Sequence, residues 1–330
     1  MTIVPAHCAG IRNLHLDELV RTSDVIVIAE VTNVEDVGPA QPMTHYDQQL
    51  QANAYCANLT LRRTIKGAAP DQITLTYALP VQFVGYRGLH AGTRLLFLRR
   101  TNDGYKFSEP YYPDFPAVAA FGGEPWPTSS QSAYKAAVLR ELWAVVGSPE
   151  SSASDIAEIL RVDYALPHTE EARAALRKGL ANTDDDDELR QRIQGELISF
   201  GDVNELPEVV RLLLGNSATE SQRTWLLYVL SYRLSDPRAI PALQPVLRSD
   251  DSSLRRAAVE GLWHMANSAA VPDLAKALQD PDEQVRFYAV RGLSDIAGQP
   301  GWGGPSESEF DEHQQKYVTH WRTWVKDRRQ

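Results

Sequence analysis

DPDEQVRFYAVRGLSDIAG, residues 280–298, decides the fold of the C-terminal half of this 330-residue chain. It opens with short acidic residues that can accept hydrogen bonds from free backbone N–H groups, and it continues as an amphipathic run of helical period. Three other segments align with it when Val285 is the reference position. At spacings of 33, 32 and 31 residues, these segments start at Leu189, Gln222 and Leu254. A period of this length indicates a stacked array of repeats.

Three columns of residues recur in the four copies. An arginine follows each start by one position, a leucine follows it by eight, and a short polar residue precedes it by three. The arginines are Arg190, Arg223, Arg255 and Arg286; the leucines are Leu197, Leu230, Leu262 and Leu293; the polar residues are Asp186, Thr219, Asp251 and Asp282. The polar residues are predicted to cap helices. Each aspartate also lies four positions before its arginine, on a neighbouring turn of one helix face.

A second helical element follows in the first three copies. It opens with an aliphatic residue and a proline, which suits the first turn of a helix because the missing N–H has no partner there. Aliphatic residues three and seven positions further on complete a helical stripe. The sets are Leu206-Pro207 with Val209 and Leu213, Ile240-Pro241 with Leu243 and Leu247, and Val271-Pro272 with Leu274 and Leu278. Each copy is therefore predicted to be a helical hairpin.

These recurring residues resemble the HEAT-repeat family, in particular its short bacterial, PBS-lyase-like form. The resemblance covers residues 184–298, with a degenerate leading unit expected in 153–182. It implies an all-α solenoid over 151–330 whose hairpins bury their apolar faces on one another, ending in a capping helix. It also implies a structural ladder of acids and bases along the stack. The ladder residues are Asp186, Arg190, Arg223, Asp251, Arg255, Asp282 and Arg286.

Two groups of residues in this half have a metal-binding alternative. The acidic run 184–187 lacks the spaced pattern of a calcium loop, and we interpret it as a solvated helix start. His313 and His320 stand seven residues apart and can ligate a metal, but an aromatic cap over the last hairpin is the favoured interpretation. The cap residues are Phe310, Tyr317, Trp321 and Trp324. No metal and no cofactor is predicted.

The N-terminal half has a different pattern. A short helix is expected over 14–22, followed by segments rich in β-branched residues and separated by Gly- and Pro-bearing turns. The strand candidates are 24–37, 55–67, 72–79, 93–101 and 104–110. Five such strands predict a small β-barrel over 1–110, closed or nearly closed. The fold class is therefore α+β multidomain, a small barrel followed by a solenoid.

A second resemblance concerns this half. The order Ser23–Val31, then Thr64–Gly67, then Ala91–Leu98 is similar to the netrin/tissue-inhibitor-of-metalloproteinases type of OB-barrel over residues 8–110. That family often begins its mature chain with a cysteine, in some members as C-x-C, whose amine and carbonyl can chelate a protease zinc. Here Cys8-Ala9-Gly10 departs from C-x-C and is not at the start of the chain. The resemblance therefore implies an OB-like barrel more firmly than an inhibitor.

Cys8 and Cys56 are the only cysteines. By composition they suit either one disulfide in an oxidising compartment or two unrelated reduced thiols. The resemblance to exported barrels implies the Cys8–Cys56 bridge. No signal peptide is visible, although Val4-Pro5-Ala6 looks like the tail of a cleavage site. We expect a periplasmic or secreted protein, with a cytoplasmic location as the alternative.

Residues 111–150 connect the two halves. Proline and aromatic side chains are dense in 110–130, which we interpret as an interdomain packing segment; sugar or peptide binding by its exposed aromatic residues is the alternative. A bridging helix over 131–147 follows, and Gly147 and Pro149 end it.

The charge distribution and the absence of known motifs in the sequence argue against several classes of function. Residues 1–148 carry 12 Lys and Arg against 13 Asp and Glu, and the remainder carries 21 against 30. The C-terminal half is therefore acidic and repels phosphate backbones. For this reason nucleic acid is not predicted as a partner. No apolar run approaches the roughly 20 residues that span a membrane. The motifs of serine hydrolases, nucleotide-binding loops, zinc proteases and dithiol redox sites do not occur in the sequence.

We therefore predict a non-enzymatic scaffold that binds a protein or peptide, with a metalloprotease inhibitor acting through the barrel and a lyase-type enzyme as alternatives. In HEAT-like stacks the second helices line the concave side, and their outward residues here are expected to contact the partner. A solvated face with no partner is the alternative. The expected contact residues are Glu208, Arg211, Arg248, Asp273 and Lys276. The sequence predicts no particular oligomeric state.

The bridge between Cys8 and Cys56 can be tested directly. Exported protein that is denatured without reduction should show no free thiol, because both cysteines are oxidised. Removing a cross-link that closes a loop of about 50 residues should cost a few kcal/mol of unfolding free energy. Two free thiols in the unreduced, denatured protein would contradict the prediction.

Overall fold

The chain forms two compact units, Met1–Gly179 and Leu180–Gln330. The computed structural model describes residues 15–45, 48–81, 88–109, 114–118, 130–161, 167–183, 186–215 and 218–328. Cys8 lies outside these ranges, so the predicted disulfide stays a prediction. Most of the aromatic segment 110–130 also lies outside them, and of its residues Phe115 is buried.

The first unit contains a six-stranded antiparallel sheet preceded by a short helix. The helix is α1 (Leu16–Thr22), and the strands are β1 (Val25–His45), β2 (Gln48–Lys66), β3 (Gln72–Pro80), β4 (Gly92–Thr101), β5 (Gly104–Phe107) and β6 (Asp114–Pro116). The hydrogen-bonded order is β3-β2-β1-β4-β5, and β6 pairs with β4. Buried and exposed residues alternate in the first part of β3, as expected when one sheet face covers a core.

The sheet is open where the sequence predicted a closed or nearly closed barrel. β3 and β5 stand at the two ends of the strand order, and no backbone ladder joins them among the described residues. They meet through side chains instead, with the ring centroids of Tyr77 and Phe107 5.0 Å apart. β5 has only four residues, and all of them are paired with β4. The contact between β5 and β3 is therefore made by the rings and not by backbone hydrogen bonds.

Three helices complete the first unit. They are α2 (Gln131–Val146), α3 (Ala153–Leu160) and α4 (Glu170–Ala181). α2 is the predicted bridging helix, and it ends at Gly147. α3 begins with a capping box between Ser152 and Asp155, and it packs on α2 and β6. The region 153–182, predicted as a degenerate leading repeat, is thus helical, but up to Gly179 it belongs to the unit that contains the sheet.

The second unit is helical, as the repeat pattern predicts. We call α5 (Asp187–Ser199), α7 (Glu220–Tyr228), α9 (Ser252–Met265) and α11 (Glu283–Ala297) the capped helices. We call α6 (Leu206–Leu214), α8 (Ile240–Leu243) and α10 (Val271–Ala277) the proline helices. α7 continues into a π-helical turn, Val229–Arg233, and the last helix is α12 (Glu307–Asp327). Within the residues described, no helix is both long and apolar enough to cross a membrane.

All four predicted helix caps are confirmed. The side chain at each cap position accepts a hydrogen bond from a backbone N–H in the first turn of its own helix. The pairs are Asp186 with Leu189 at 2.9 Å, Thr219 with Gln222 at 3.3 Å, Asp251 with Ser253 at 2.8 Å, and Asp282 with Val285 at 3.1 Å. The proline helices likewise carry proline in their first turn, as predicted.

The arginine column holds the chain that precedes each capped helix. Every one of its side chains donates to a backbone carbonyl oxygen upstream of its own helix. The pairs are Arg190 with Thr183 at 3.0 Å, Arg223 with Leu213 at 3.2 Å, Arg255 with Ser249 at 2.8 Å, and Arg286 with Asp280 at 2.6 Å.

Ion pairs then join successive repeats. Arg223 pairs with Asp251 of the next capped helix, and Arg256, next to the arginine column, pairs with Asp282. Arg255 pairs with Asp280 at 2.8 Å. The aspartates at 251 and 282 therefore take arginines from the preceding repeat and not the arginines four residues later. The cap fixes each aspartate at the start of its helix, where it faces the neighbouring helix.

α9 packs closely against the π-helical turn of the preceding repeat at Gly261. A Cβ at this position would overlap the carbonyl oxygen of Leu230 in the preceding repeat. Leu230 and Leu262, both from the leucine column, are fully buried beside this contact. Glycine is therefore required here for the two repeats to pack.

The predicted aromatic cap is confirmed by burial. Phe310 and Trp321 of α12 are fully buried in the solenoid core, and Tyr317 and Trp324 pack against it. His320 stacks on Trp302 with ring centroids 3.5 Å apart, and its Nε2 lies 2.9 Å from Gln299 Oε1. Burial lowers the pKa of His320. His320 is thus a packing residue of the cap.

Asp282→Ala tests the ladder, because it removes a cap and an inter-repeat ion pair together. We expect the unfolding free energy at pH 7 to fall by about 1–2 kcal/mol. The hydrogen bond from Arg256 lowers the pKa of Asp282. Its stabilising effect is therefore complete above the unfolded carboxyl pKa of about 4 and is lost as the pH falls through the lowered folded value.

Urea denaturation at pH 7 and at the lowest pH where the fold persists measures this effect. The difference between Asp282→Ala and wild type should shrink in acid. Asp311→Ala, at an exposed aspartate of α12, is the control and should change stability by no more than about 0.5 kcal/mol. Equal stability of Asp282→Ala and wild type at pH 7 would show that Asp282 is merely solvated.

Candidate functional site

A continuous row of rings crosses three capped helices of the second unit. We call it the ring row; its members, in order of contact, are Trp225, Tyr228, Tyr232, His264, Trp263 and Tyr288. Neighbouring centroids are 5.6, 5.5, 5.1, 4.6 and 5.9 Å apart. Tyr228 is 42% exposed and Tyr232 is 54% exposed. A contiguous exposed aromatic surface of this kind is typical of protein interaction sites.

Helical spacing explains why these side chains share a face. The sixth and tenth positions after each repeat start lie one turn apart, and the leucine at the eighth position points into the core. In the last three copies these pairs are Tyr228 with Tyr232, Glu260 with His264, and Arg291 with Asp295, and all of these residues except Glu260 are at least partly exposed. Their chemistry differs from copy to copy while the leucine stays the same. This contrast in the sequence indicates a binding face on the capped helices. The predicted contact residues, however, all belong to the proline helices, so sequence reasoning missed this face.

Tyr232 lies on the π-helical turn at the end of α7. Such turns are rare and frequently occur at functional sites. Val229 and Leu230 of the same turn stay fully buried, so the wider turn keeps its core contacts while it presents Tyr232 outward. The Tyr232 hydroxyl donates a hydrogen bond of 2.8 Å to Glu260 Oε1 on the next capped helix.

Glu260 is a buried acid at the centre of the ring row. The residue is 8% exposed, and it forms no ion pair with any residue in the described part of the chain. Its hydrogen bond raises the pKa of Tyr232 to about 12. The pKa of Tyr288 is also raised, chiefly by burial and then by the nearby Glu260 charge. Both tyrosines are therefore neutral near pH 7, and Tyr232 serves as a donor to the carboxylate.

Guanidinium groups already stack on two tryptophans of the row. The Arg192 guanidinium carbon lies 3.8 Å from the Trp225 ring centroid, and that of Arg291 lies 4.7 Å from the centroid of Trp263. Such contacts are favourable because the negative face of the ring attracts the cation. The Trp263 indole N–H also donates to Asp295 at 2.6 Å. The ring row is thus chemically suited to cations.

The five contact residues expected on the proline helices belong to hydrogen bonds and ion pairs apart from the ring row. Glu208 and Arg211 are bound to each other, with Arg211 Nε 2.7 Å from Glu208 Oε2, and this contact lowers the pKa of Glu208. Arg248 is exposed and donates to Gln244 Oε1 at 3.2 Å. Hydrogen bonds thus join Arg248, Asp273 and Lys276 through Gln244, whereas Glu208 and Arg211 bind each other.

Asp273 is wrong as an outward position. It is 7% exposed and accepts hydrogen bonds from Gln244 Nε2 at 2.6 Å and from Lys276 Nζ at 3.0 Å. Gln244 follows the preceding proline helix, so Asp273 links neighbouring repeats. The sequence could not show this contact because the two residues are far apart along the chain.

The first unit contains a separate polar cavity of about 520 Å³. Its lining residues are Gly88, His90, Ala91, Arg94, Ser152, Ser154, Asp155, Glu158 and Arg161. Buried Arg94 pairs with Asp114, which is also buried, and with Glu158 at 3.3 Å. His90 Nδ1 lies 3.4 Å from Asp114, and this hydrogen bond raises the pKa of His90. Because Arg94 is held by acids of its own unit, we assign it a structural role.

Residues 240–302 match the HEAT-repeat family. This match covers α8 to α11 and supports the helical-repeat architecture of the second unit. No curated protein matches the chain. Among solved structures, the chain is similar to human deoxyhypusine hydroxylase in complex with glycerol at 17% identity and a TM-score of 0.27, over 58% of this chain and 73% of that chain. Similarity at that level defines no activity for this protein.

Arg94→Met tests the structural role of the buried arginine. It leaves Asp114 without its guanidinium partner in a buried site, and we expect the unfolding free energy to fall by about 3–5 kcal/mol. Arg161→Met, at an exposed arginine of the same cavity, should change it by no more than about 0.5 kcal/mol. Chemical denaturation of both variants measures the difference. Equal effects would contradict a special role for Arg94.

Proposed function

We propose that this protein is a non-enzymatic scaffold that binds an extended basic segment of a protein partner along the ring row. The observation that carries the proposal is the contiguous set of rings on successive repeats, exposed at Tyr228, Tyr232 and His264. The match to HEAT repeats supports it, because stacked repeats present extended binding surfaces. Tyrosine and tryptophan are also enriched among the residues that dominate binding energy at interfaces.

The charge of the chain favours a basic partner. Residues 149–330 carry 21 Lys and Arg against 30 Asp and Glu, and this excess of acid attracts a segment of opposite sign. For the same reason nucleic acid is not proposed as a partner. The expected contact residues on the proline helices are less suited to recognition, because Glu208 and Arg211 neutralise each other and Asp273 is buried.

An OB-like relationship for the open sheet and a location outside the cytoplasm are further parts of the proposal. The order of the strand sequences supports the OB-like relationship. The two early cysteines support a location outside the cytoplasm, which the count of free thiols tests. The inhibitor alternative depends on Cys8, which lies outside the described residues. We propose neither inhibition nor lyase activity, because no arrangement of the described side chains favours them.

Two surface variants distinguish the ring row from the proline helices. Full-length protein captures a partner from the native source, the partner is identified by mass spectrometry, and its purified form is titrated against each variant. Tyr228→Ser with Tyr232→Ser should weaken binding by at least about 30-fold, since each ring removed from an interface centre can cost 2 kcal/mol or more. Arg211→Glu with Arg248→Glu and Lys276→Glu should change the Kd by less than about threefold.

Both variants should keep a cooperative melting transition above the temperature of the titration, because all the substituted side chains are at least partly exposed. Some loss of stability is expected, since Tyr232 donates to Glu260 and Lys276 pairs with Asp273. The opposite ranking, with binding lost only in the triple charge reversal, would move the site to the proline helices. Full binding by both variants would exclude both surfaces.

A further inference from the structure

The ring row surrounds a negative charge that the described part of the chain leaves without a cation. Two other buried acids have arginine partners: Glu196 contacts Arg192 at 3.2 Å and Arg233 at 3.0 Å, and Asp114 contacts Arg94. Within the described residues, Glu260 accepts a hydrogen bond from the Tyr232 hydroxyl and forms no ion pair. Charges in a protein interior are screened less than in water, so a buried carboxylate that has no ion-pair partner can attract a cation strongly.

The rings around Glu260 form a seat for such a cation. We define the cation seat as Glu260, Tyr232, His264, Trp263 and Tyr288. Tyr232 and His264, both exposed, lie with their centroids 5.1 Å apart, and Trp263 stacks against His264 at 4.6 Å. Trp263 and Tyr288 are half-buried, so the seat is exposed at Tyr232 and His264, and the Tyr232 hydroxyl is bound to the Glu260 carboxylate.

The other charges near the seat do not fill it. Arg256 is occupied by its ion pair with Asp282. Arg291 stacks on Trp263 and donates to the Pro305 carbonyl oxygen at 3.0 Å, so it is directed away from Glu260. Asp295 accepts from the Trp263 indole and adds a second negative charge at the edge of the seat.

We propose that the cation seat binds the guanidinium group of an arginine in the partner segment. This inference rests on the proposed function and identifies the anchor of that segment. A planar guanidinium can stack on aromatic faces, whereas a lysine ammonium is a compact and strongly hydrated charge. The ring row already holds two guanidinium groups in this manner, on Trp225 and Trp263. The Glu260 carboxylate supplies the attraction from below, in surroundings where charges are screened less than in water.

The test uses synthetic peptides on the full-length protein. The probes are blocked five-residue peptides with glycine on both sides of one central residue, which is arginine, lysine or citrulline; citrulline keeps the shape of arginine without its charge. Binding is followed by the indole N–H resonance of Trp263. We expect the arginine peptide to bind at least about tenfold more tightly than the citrulline peptide, because a charged donor makes much stronger hydrogen bonds and ring contacts.

Glu260→Gln is the matching variant on the protein. Its side-chain oxygen can still accept from the Tyr232 hydroxyl, so the fold should persist, and the arginine peptide should lose about tenfold in affinity. Glu283→Gln is the control, since Glu283 is exposed on the first turn of α11 and contacts Gln314. It should leave the affinity unchanged. The comparison of the arginine and citrulline peptides uses the wild-type protein. It therefore still tests the proposal if Glu260→Gln is unstable.

Equal affinity for the arginine and citrulline peptides would overturn the seat, and so would an unchanged affinity in Glu260→Gln. A lysine peptide that binds as tightly as the arginine peptide would overturn the preference for a guanidinium. If the captured partner loses affinity in the tyrosine double variant but not in Glu260→Gln, the arginine anchor is wrong and the scaffold function stands. If the arginine peptide loses affinity in Glu260→Gln while the partner binds the tyrosine double variant as tightly as wild type, the cation seat is supported and the proposed function is wrong.

Discussion

The close packing of the capped helices at Gly261 is the constraint on which the candidate site depends. Because this residue lacks a Cβ, α9 can lie against the backbone of the π-helical turn that carries Leu230. The same approach brings the Tyr232 hydroxyl within 2.8 Å of Glu260 and the Tyr232 ring within 5.1 Å of His264. A larger residue at 261 would separate the two repeats, and the ring row would be broken with them.

Stability and recognition use different residues of the same helices. The capping aspartates and the arginine column act at the helix starts, where they satisfy free N–H and carbonyl groups and link repeats. The ring row lies further along the helices, on outward positions that the core does not use. Binding chemistry can therefore vary among the repeats without loss of the stack, as expected for a solenoid.

Buried acids are held in two different ways in this protein. In the first unit Arg94 is enclosed by Asp114 and Glu158, and Glu141 contacts Arg63 at 3.3 Å, with burial raising the pKa of Glu141. Each of these acids has an arginine partner within the unit. Glu260 in the second unit is held by hydroxyl groups instead, and this contrast distinguishes a structural charge from one suited to an external cation.

The sequence by itself determined the elements whose causes are local. The four caps, the prolines in the first turns and the leucine column depend on residues within a few positions of one another, and the structure confirms them. The strand segments follow equally from local enrichment in β-branched residues between turns, and the antiparallel sheet is observed. Only the tertiary structure decided that the sheet stays open, that Asp273 is buried against Gln244, and that Arg256 and not Arg286 pairs with Asp282. It also assembled the ring row from rings about 30 residues apart in the chain. Such contacts depend on how repeats and strand ends pack, and hydrophobic periodicity within one segment does not specify which outward side chains will meet.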